Sequence, residues 1–189
     1  ETPADLIAML NQTLEKWEIV YGNEKKDRSP EERFAYVIER AYEQAGCGVV
    51  VLVDEYDKPL LQALDNDALL EDYRKTLKAF YGVLKSADRY LRFAFLTGVT
   101  KFSQVSVFSD LNQLNDISLD YSYATVCGIT RTELVETFTP EIEEFGRVNK
   151  LSAEETVDKM ARQYDGYHFH PKGDGVFNPF SLLNAFSKR

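Results

Sequence analysis

The run GVVVLVDEYDKPL at residues 48–60 sets the fold class of this chain. Its apolar part, Val49–Val53, leads directly into the acids Asp54 and Glu55. A short apolar run rich in β-branched residues is typical of a strand that is buried on both faces of a parallel sheet. Acids at the carboxyl end of such a strand lie where open α/β sheets bind their ligands. The run therefore predicts an α/β fold with a ligand site at Asp54 and Glu55.

The same pattern resembles the Walker B segment of P-loop nucleotide hydrolases. In those enzymes the first acid holds Mg²⁺, and in one large branch the next acid polarises the attacking water. A second apolar strand, Leu91–Leu96, ends in Thr97, where a polar sensor of the γ-phosphate or of the attacking water would stand. The pattern thus predicts that Asp54 binds the metal, that Glu55 acts on water and that Thr97 contacts the nucleotide.

The phosphate-binding half of such a site is not found in this sequence. A Walker A loop needs the pattern GxxxxGK[ST], because its backbone N–H groups surround the phosphates and its lysine reaches the β/γ oxygens. None of the ten glycines begins that pattern, and the nearest run, GVTKFS at 98–103, lacks a second glycine before its lysine. The chain begins at Glu1 without a methionine, which indicates a piece of a longer protein. We therefore expect this fragment to be inactive and to bind neither ATP nor Mg²⁺ by itself.

Composition narrows the class of protein. A chain of 189 residues with 44% apolar content can bury a proper core. Its formal net charge of −9 disfavours a generally basic surface, so direct nucleic-acid binding by this fragment is not expected. Cys47 and Cys127 cannot form a disulfide framework and lack metal-type spacing, which favours a reducing, cytoplasmic compartment. No apolar run approaches the ~18–20 residues of a membrane span.

The order of elements predicts a βαβ unit followed by a helical segment. Two helices with proline near their starts precede the first strand, and a helix over residues 68–87 joins it to Leu91–Leu96, which is the connection of a parallel sheet. A third short strand is expected at 116–119. Beyond it, two capping boxes, a small hairpin that pairs 167–169 with 176–177, and a final helix indicate a lid-like subdomain.

Other residue groups allow alternative sites. Asp54, Glu55 and Asp57 could bind metal in a Mg²⁺-dependent nuclease, but a restriction-type nuclease needs a lysine shortly after an acid on a strand. Lys58 instead lies beyond the strand and beside a proline.

Two groups in the last third are better explained as structure. Asp165, His168 and His170 could form a metal cluster, but no third histidine exists, and ordinary hairpin residues are the favoured interpretation. The aromatic residues there could stack nucleobases, although such density near a hairpin is more typical of a small core. Arg92 and Arg131 are candidates for an arginine that stabilises phosphate charge, and nothing local distinguishes either.

Seven blocks of this sequence resemble the bacterial AAA-ATPase-like family of predicted P-loop NTPases. They are DEYDKPL at 54–60, AFYGVLKSAD at 79–88, FLTGVTKFS at 95–103, LNDISLD at 114–120, YATVCG at 123–128, YDGYHF at 164–169 and FNPFSLLN at 177–184. The resemblance implies an incomplete P-loop NTPase core of the ASCE/AAA-like type over residues 1–128, with a parallel sheet flanked by helices. A small, mostly helical C-terminal subdomain with a hairpin would follow over residues 129–189.

The resemblance also implies an activity for the full-length protein. A Walker A segment would lie upstream, with Asp54 as the Mg²⁺-organising acid, Glu55 as the catalytic base or water-positioning residue and Thr97 as the sensor. The full-length protein would hydrolyse ATP with Mg²⁺ to drive a partner or an attached nuclease-like domain of the PD-(D/E)XK superfamily, and a homo-oligomer is one arrangement it allows. We expect a neighbouring chain, a rearranged segment or an upstream part to fill the place of the missing strand. The alternatives are a non-enzymatic interaction module, with a partner docked on the aromatic tail, and the Mg²⁺-dependent nuclease.

Overall fold

The computed structural model describes residues 2–99, 107–108, 111 and 113–188. Its α-helices are α1 (Pro3–Tyr21), α2 (Pro30–Ala45), α3 (Lys58–Gln62), α4 (Asp67–Ser86), α5 (Arg131–Thr137), α6 (Thr139–Asn149), α7 (Ala153–Tyr164) and α8 (Pro179–Ser187). Its strands are β1 (Val49–Val53), β2 (Leu91–Leu96), β3 (Asp165–Tyr167) and β4 (Val176–Phe177). The chain packs as two compact units, Glu1–Leu114 and Asn115–Arg189. The division expected between residues 128 and 129 stays a prediction.

Local sequence explains where the main helices begin. The Thr2 N–H donates to Asp5 Oδ2 at 2.7 Å, and the Ser29 N–H donates to Glu32 Oε2 at 3.3 Å, so an acid one turn into each helix satisfies a backbone donor at its start. The two capping boxes expected in the last third of the chain form in the same way, at Thr130 and at Ser152. At the other end of α2, Gly46 adopts φ 65° and ends the helix in the left-handed conformation that glycine tolerates.

In the first unit, β1 and β2 form the predicted parallel pair. The register places Val51 beside Ala94 and Val53 beside Leu96. Val51 is buried in one core with residues from α1, α2 and α4, and Ala94 packs against the same core. The other face is apolar but open, since the exposed fractions of Val50, Leu52 and Phe93 are 53%, 69% and 52%.

That open face corrects one expectation. β1 was expected to be buried on both faces, whereas the structure buries only the face that carries Val51. The physical reason is that the helices of this unit share a core with that one face. The third strand expected at 116–119 is also wrong: Asp116 Oδ1 accepts the Ser118 N–H at 3.0 Å, a local side-chain bond that forms a turn instead.

A buried ion pair joins α1 and α2 inside the first unit. Arg33 and Glu18 have exposed side-chain fractions of 5% and 4%. The Arg33 guanidinium donates to both Glu18 carboxylate oxygens, at 2.8 Å and 2.7 Å, and to Asn11 Oδ1 at 2.7 Å. Because the pair is bidentate and has a third partner, its charges are compensated despite their burial.

The second unit has its own core. The predicted hairpin forms, although its first strand is Asp165–Tyr167, two residues earlier than expected, and it pairs antiparallel with Val176–Phe177. Phe177 and Leu182 are fully buried together with Leu134 and Met160 from α5 and α7. The predicted final helix is present as α8, and Asn178 caps it by accepting the Ser181 N–H at 2.9 Å.

Candidate active site

The carboxyl ends of β1 and β2 bring the predicted site residues side by side. Backbone pairing continues beyond the last registered pair, because the Thr97 N–H donates to the Val53 carbonyl at 2.8 Å and the Tyr56 N–H donates to the Thr97 carbonyl at 2.9 Å. These two bonds hold Thr97 against the loop that carries Asp54. Parallel strands end at the same edge of a sheet, so this is the edge at which α/β folds bind ligands.

The Thr97 hydroxyl connects the two predicted acids. It donates a hydrogen bond to Asp54 Oδ1 and accepts the Glu55 N–H at 3.3 Å. Asp54 and Glu55 are exposed, and Thr97 is partly buried. The structure therefore brings Asp54, Glu55 and Thr97 together, while the chemical role of each remains a prediction.

Glu55 has an unusual backbone conformation. Its φ angle is 52°, in the left-handed region that residues other than glycine, asparagine and aspartate rarely adopt. Such conformations persist where surrounding contacts enforce them and concentrate at functional sites. The Glu55 carboxylate accepts from Lys58 Nζ at 2.8 Å, and this hydrogen bond raises the pKa of Lys58. In this structure the acid expected to act on water is thus engaged by a lysine at the start of α3.

Asp57 differs from Asp54 and Glu55 in its burial and in its hydrogen-bond partner. It is fully buried, and its Oδ1 and Oδ2 lie 3.2 Å and 3.0 Å from the Val99 nitrogen, whose N–H it accepts. Asp54, Glu55 and Asp57 therefore take three different partners. Over the part of the chain that the structure describes, no three His, Cys, Asp or Glu side chains form a group that could hold a metal ion.

An aromatic layer lies beneath this loop. The Tyr56 ring is 4.7 Å from that of Phe108 and the Tyr81 ring is 5.7 Å from it, measured between centroids. Burial, and then the charge of Asp57, raise the pKa of Tyr81 to about 12. Gly98 allows the end of β2 to approach this layer, because a Cβ there would lie 2.5 Å from Tyr56 Cε1.

Asp57 and Gly98 shape the site through contacts that the sequence pattern did not predict. Asp57 immediately precedes Lys58 and Pro59, which looks like an ordinary helix cap. Its side chain faces Val99 instead, 42 residues away in sequence. The available signals were a third acid after the strand and the glycine that follows Thr97, and neither identifies its partner.

The remaining candidates lie elsewhere. Arg92 is exposed near the start of β2, toward the opposite end of the strand from Thr97. In the second unit, Arg131 forms an ion pair with Asp158. His168 is exposed, and His170 Nδ1 accepts the Lys172 N–H at 3.1 Å. The side chain of Asp165 and most of the 98–103 run lie outside the described residues.

Two further features of the chain concern its cysteines and its helices. Cys47 and Cys127 are free, exposed thiols. Among the described helices, none combines the length and the apolar character needed to cross a membrane.

Comparison with known proteins points to one family. The model of a family described as predicted AAA-ATPase matches residues 1–108, a range that contains Asp54, Glu55 and Thr97. A protein of Azotobacter chroococcum mcd 1, described as an uncharacterized protein in the vnfD 5′ region, is 43% identical to this chain over 157 residues. The match covers 83% of this chain but 28% of that protein, so the chain spans less than a third of its relative's length. No solved structure matches the chain significantly.

Proposed function

Because this chain belongs to the family of predicted AAA-ATPases, we propose that it carries the Walker B and sensor half of a Mg²⁺-dependent ATP-hydrolysing site. In this proposal Asp54 binds the metal, Glu55 is the general base or water-positioning residue, and Thr97 contacts the γ-phosphate or the attacking water. The observation that carries the proposal is the hydrogen bond from the Thr97 hydroxyl to Asp54 at the carboxyl ends of two adjacent parallel strands.

The donor chemistry of the site fits Mg²⁺. This ion takes oxygen ligands, keeps several waters and is commonly held by one or two carboxylates together with substrate phosphates. Asp54 offers an exposed carboxylate, and its bond to Thr97 fixes the orientation of that carboxylate. When bound, Mg²⁺ would neutralise charge on the transferred phosphate.

Glu55 would have to exchange its present partner for water. The Glu55 side chain is 50% exposed and the Lys58 side chain is 63% exposed, and ion pairs in such positions contribute little to stability. The carboxylate can therefore leave Lys58 and accept a proton from a water on the γ-phosphate side of Asp54. The bond from the Glu55 N–H to the Thr97 hydroxyl keeps the backbone in place while the side chain moves.

The phosphate cradle is proposed to come from a part of the longer protein or from a neighbouring chain. Among the described residues, the sheet of the first unit consists of β1 and β2 alone, so each strand has one edge without a described partner. Open strand edges are templates for pairing with another strand. We place the strand that leads into the Walker A loop at one of these edges. ATP hydrolysis would then drive a partner or an attached nuclease-like domain, and a homo-oligomer is one arrangement in which a neighbouring chain supplies the cradle.

The test compares this chain with a longer piece of the same protein. The longer piece extends upstream by about a hundred residues, enough for a Walker A strand and loop. ATP binding and hydrolysis with Mg²⁺ are measured on both. Binding and turnover by the longer piece alone would support a split site, whereas no binding by either would reject the ATPase proposal.

A non-enzymatic interaction module is the second candidate, and one observation favours it. Val50, Leu52 and Phe93 form an exposed apolar patch on the sheet, and contiguous patches of this kind often mark interaction surfaces. The nuclease alternative receives less support, because Asp57 is buried with its carboxylate on the Val99 N–H, and the described residues contain no group of three acids that could hold a metal ion. That alternative would require metal binding by this chain without nucleotide.

A further inference from the structure

We propose that Asp57 is a positioning residue for this site: its buried carboxylate holds the segment after β2 so that Thr97 stays in contact with Asp54. The proposal deepens the proposed function and rests on it for its catalytic consequence. Asp57 is not proposed as one of the reacting groups. It acts through the backbone that carries Thr97.

Asp57 is both buried and hydrogen-bonded. Asp57 is 0% exposed, and both of its carboxylate oxygens lie within hydrogen-bond distance of the Val99 nitrogen. A buried carboxylate is costly unless it is hydrogen-bonded. A hydrogen bond to a charged acceptor is about twice as strong as a neutral one. A residue used only to begin α3 would not need a buried charge that reaches a distant loop.

Hydrogen bonds are spaced along the segment that follows β2. The backbone of Thr97 makes two bonds, its N–H to Val53 and its carbonyl to Tyr56. Two residues later, the Val99 N–H meets Asp57. The segment 97–99 is therefore held at both ends. Without the Asp57 bond, Thr97 would be the last paired residue of an edge, where strands fray.

The loop after β1 and the segment after β2 also fit closely together. A Cβ on Gly98 would lie 2.9 Å from Asp57 Oδ1, closer than real Cβ atoms approach. The residue between the two anchored positions is thus the one without a side chain. This geometry brings the carboxylate directly against the backbone it binds, and it links Asp57 to Thr97 by sterics as well as by hydrogen bonding.

Amide hydrogen exchange measured by NMR on this chain tests the proposal. The variants are Asp57→Ala, which removes the acceptor, and Asp57→Asn, which keeps one neutral acceptor oxygen. Asp65→Asn is the matched control, because Asp65 is exposed and loses the same charge. The probes are the Val99 and Thr97 amides, and the Leu77 amide in the middle of α4 reports on global opening.

We expect exchange at Val99 and at Thr97 to accelerate by about tenfold or more in Asp57→Ala, which is the loss of one charge-assisted bond. Asp57→Asn should fall between that variant and the wild type, and the Leu77 rate should stay within about threefold. Acceleration at Val99 alone would overturn the proposal, because Thr97 would then be held without Asp57. A uniform acceleration that includes Leu77 would also overturn it, because Asp57 would then be a general stabilising residue.

Turnover in the longer protein supplies the second readout. Asp57→Asn should lower kcat there by about tenfold while KM changes little, since Thr97 is misplaced but nucleotide contacts elsewhere remain. An unchanged kcat together with faster Thr97 exchange would contradict the catalytic part of the proposal. If the wild-type longer protein hydrolyses no ATP, the proposed function fails, yet the exchange experiment still decides whether Asp57 positions Thr97.

Discussion

Replacing Gly98 with alanine should weaken the first unit through a single steric conflict. A Cβ at this position would lie 2.5 Å from Tyr56 Cε1 and 2.9 Å from Asp57 Oδ1. Gly98 is not among the glycines with a positive φ angle, so alanine is compatible with its backbone. The effect of the substitution is therefore a matter of space alone.

The magnitude follows from what would have to move. Carbon atoms in contact are ordinarily about 3.5–4.0 Å apart, so the Tyr56 ring would have to shift by about 1 Å. Tyr56 is 5% exposed and packs on Phe108, which leaves it little freedom. Overpacking of this kind costs about 1–3 kcal/mol, and the lower entropy of the unfolded alanine chain returns about 0.4–1 kcal/mol. Taken at the middle of both ranges, the net expectation is a loss of about 1.3 kcal/mol.

Urea unfolding of this chain, followed by circular dichroism, measures the effect. Gly82→Ala is the control, because Gly82 lies inside α4 and a Cβ there would meet nothing within 4 Å. Alanine is the better helix former, so this control should gain about 0.5–1 kcal/mol. The two substitutions are chemically identical and should have opposite signs, with the urea dependence of the unfolding free energy unchanged.

A Gly98→Ala variant as stable as the wild type would refute the reasoning. That result would mean that the loop after β1 and the end of β2 are not in the close contact described above. An equal loss in both variants would refute it as well, since the space around the two glycines would then not decide the outcome.

Three further predictions concern other contacts. The wild type should lose stability as the pH rises from about 10 to about 12, because Tyr81 ionises near pH 10 in the unfolded chain, whereas burial raises its pKa in the folded chain to about 12. This difference in pKa corresponds to about 3 kcal/mol of unfolding free energy, and Tyr81→Phe should remove the loss. The free energy of unfolding is measured across this pH range for the wild type, for Tyr81→Phe and for Tyr121→Phe, a control at an exposed tyrosine. The same pH dependence in both variants would contradict the prediction. Glu18→Gln should destabilise the chain by about 3 kcal/mol, because it leaves the buried Arg33 charge uncompensated; thermal unfolding checks this, and a change below about 1 kcal/mol would be evidence against a buried pair. Glu55→Gly should raise the free energy of unfolding by up to about 1 kcal/mol, because glycine adopts a φ of 52° without strain. The same substitution removes the predicted base. A clear loss of stability in urea unfolding would contradict the presence of strain at Glu55.

The local elements of this fold were predictable from sequence because their signals are local. Proline and an acid after a capping residue mark the starts of α1 and α2, and the alternation of strand, helix and strand gave the parallel pair β1–β2. The convergence of Asp54 and Thr97 followed from the same topology, since parallel strands end at one edge.

The other features depend on contacts between residues distant in sequence. The five apolar residues of β1 look the same whether one face or two are covered, so the exposure of Leu52 could not be read from them. The third strand expected at 116–119 was displaced by a side-chain bond of Asp116 to the backbone. The bond between Asp57 and Val99 spans 42 residues, and local pattern carries no information about such a pair.

The most direct test of the central claim is ATP turnover by the longer protein with Glu55 replaced by glutamine. The substitution keeps the size of the side chain and removes its ability to accept a proton. The account predicts that turnover falls by about 10²–10⁴-fold while ATP affinity is retained, the usual contribution of a general base. The control is Glu15→Gln, an exposed acid in α1 that should leave turnover unchanged. Undiminished turnover in Glu55→Gln would contradict the account, because the acids after β1 would then play no part in hydrolysis.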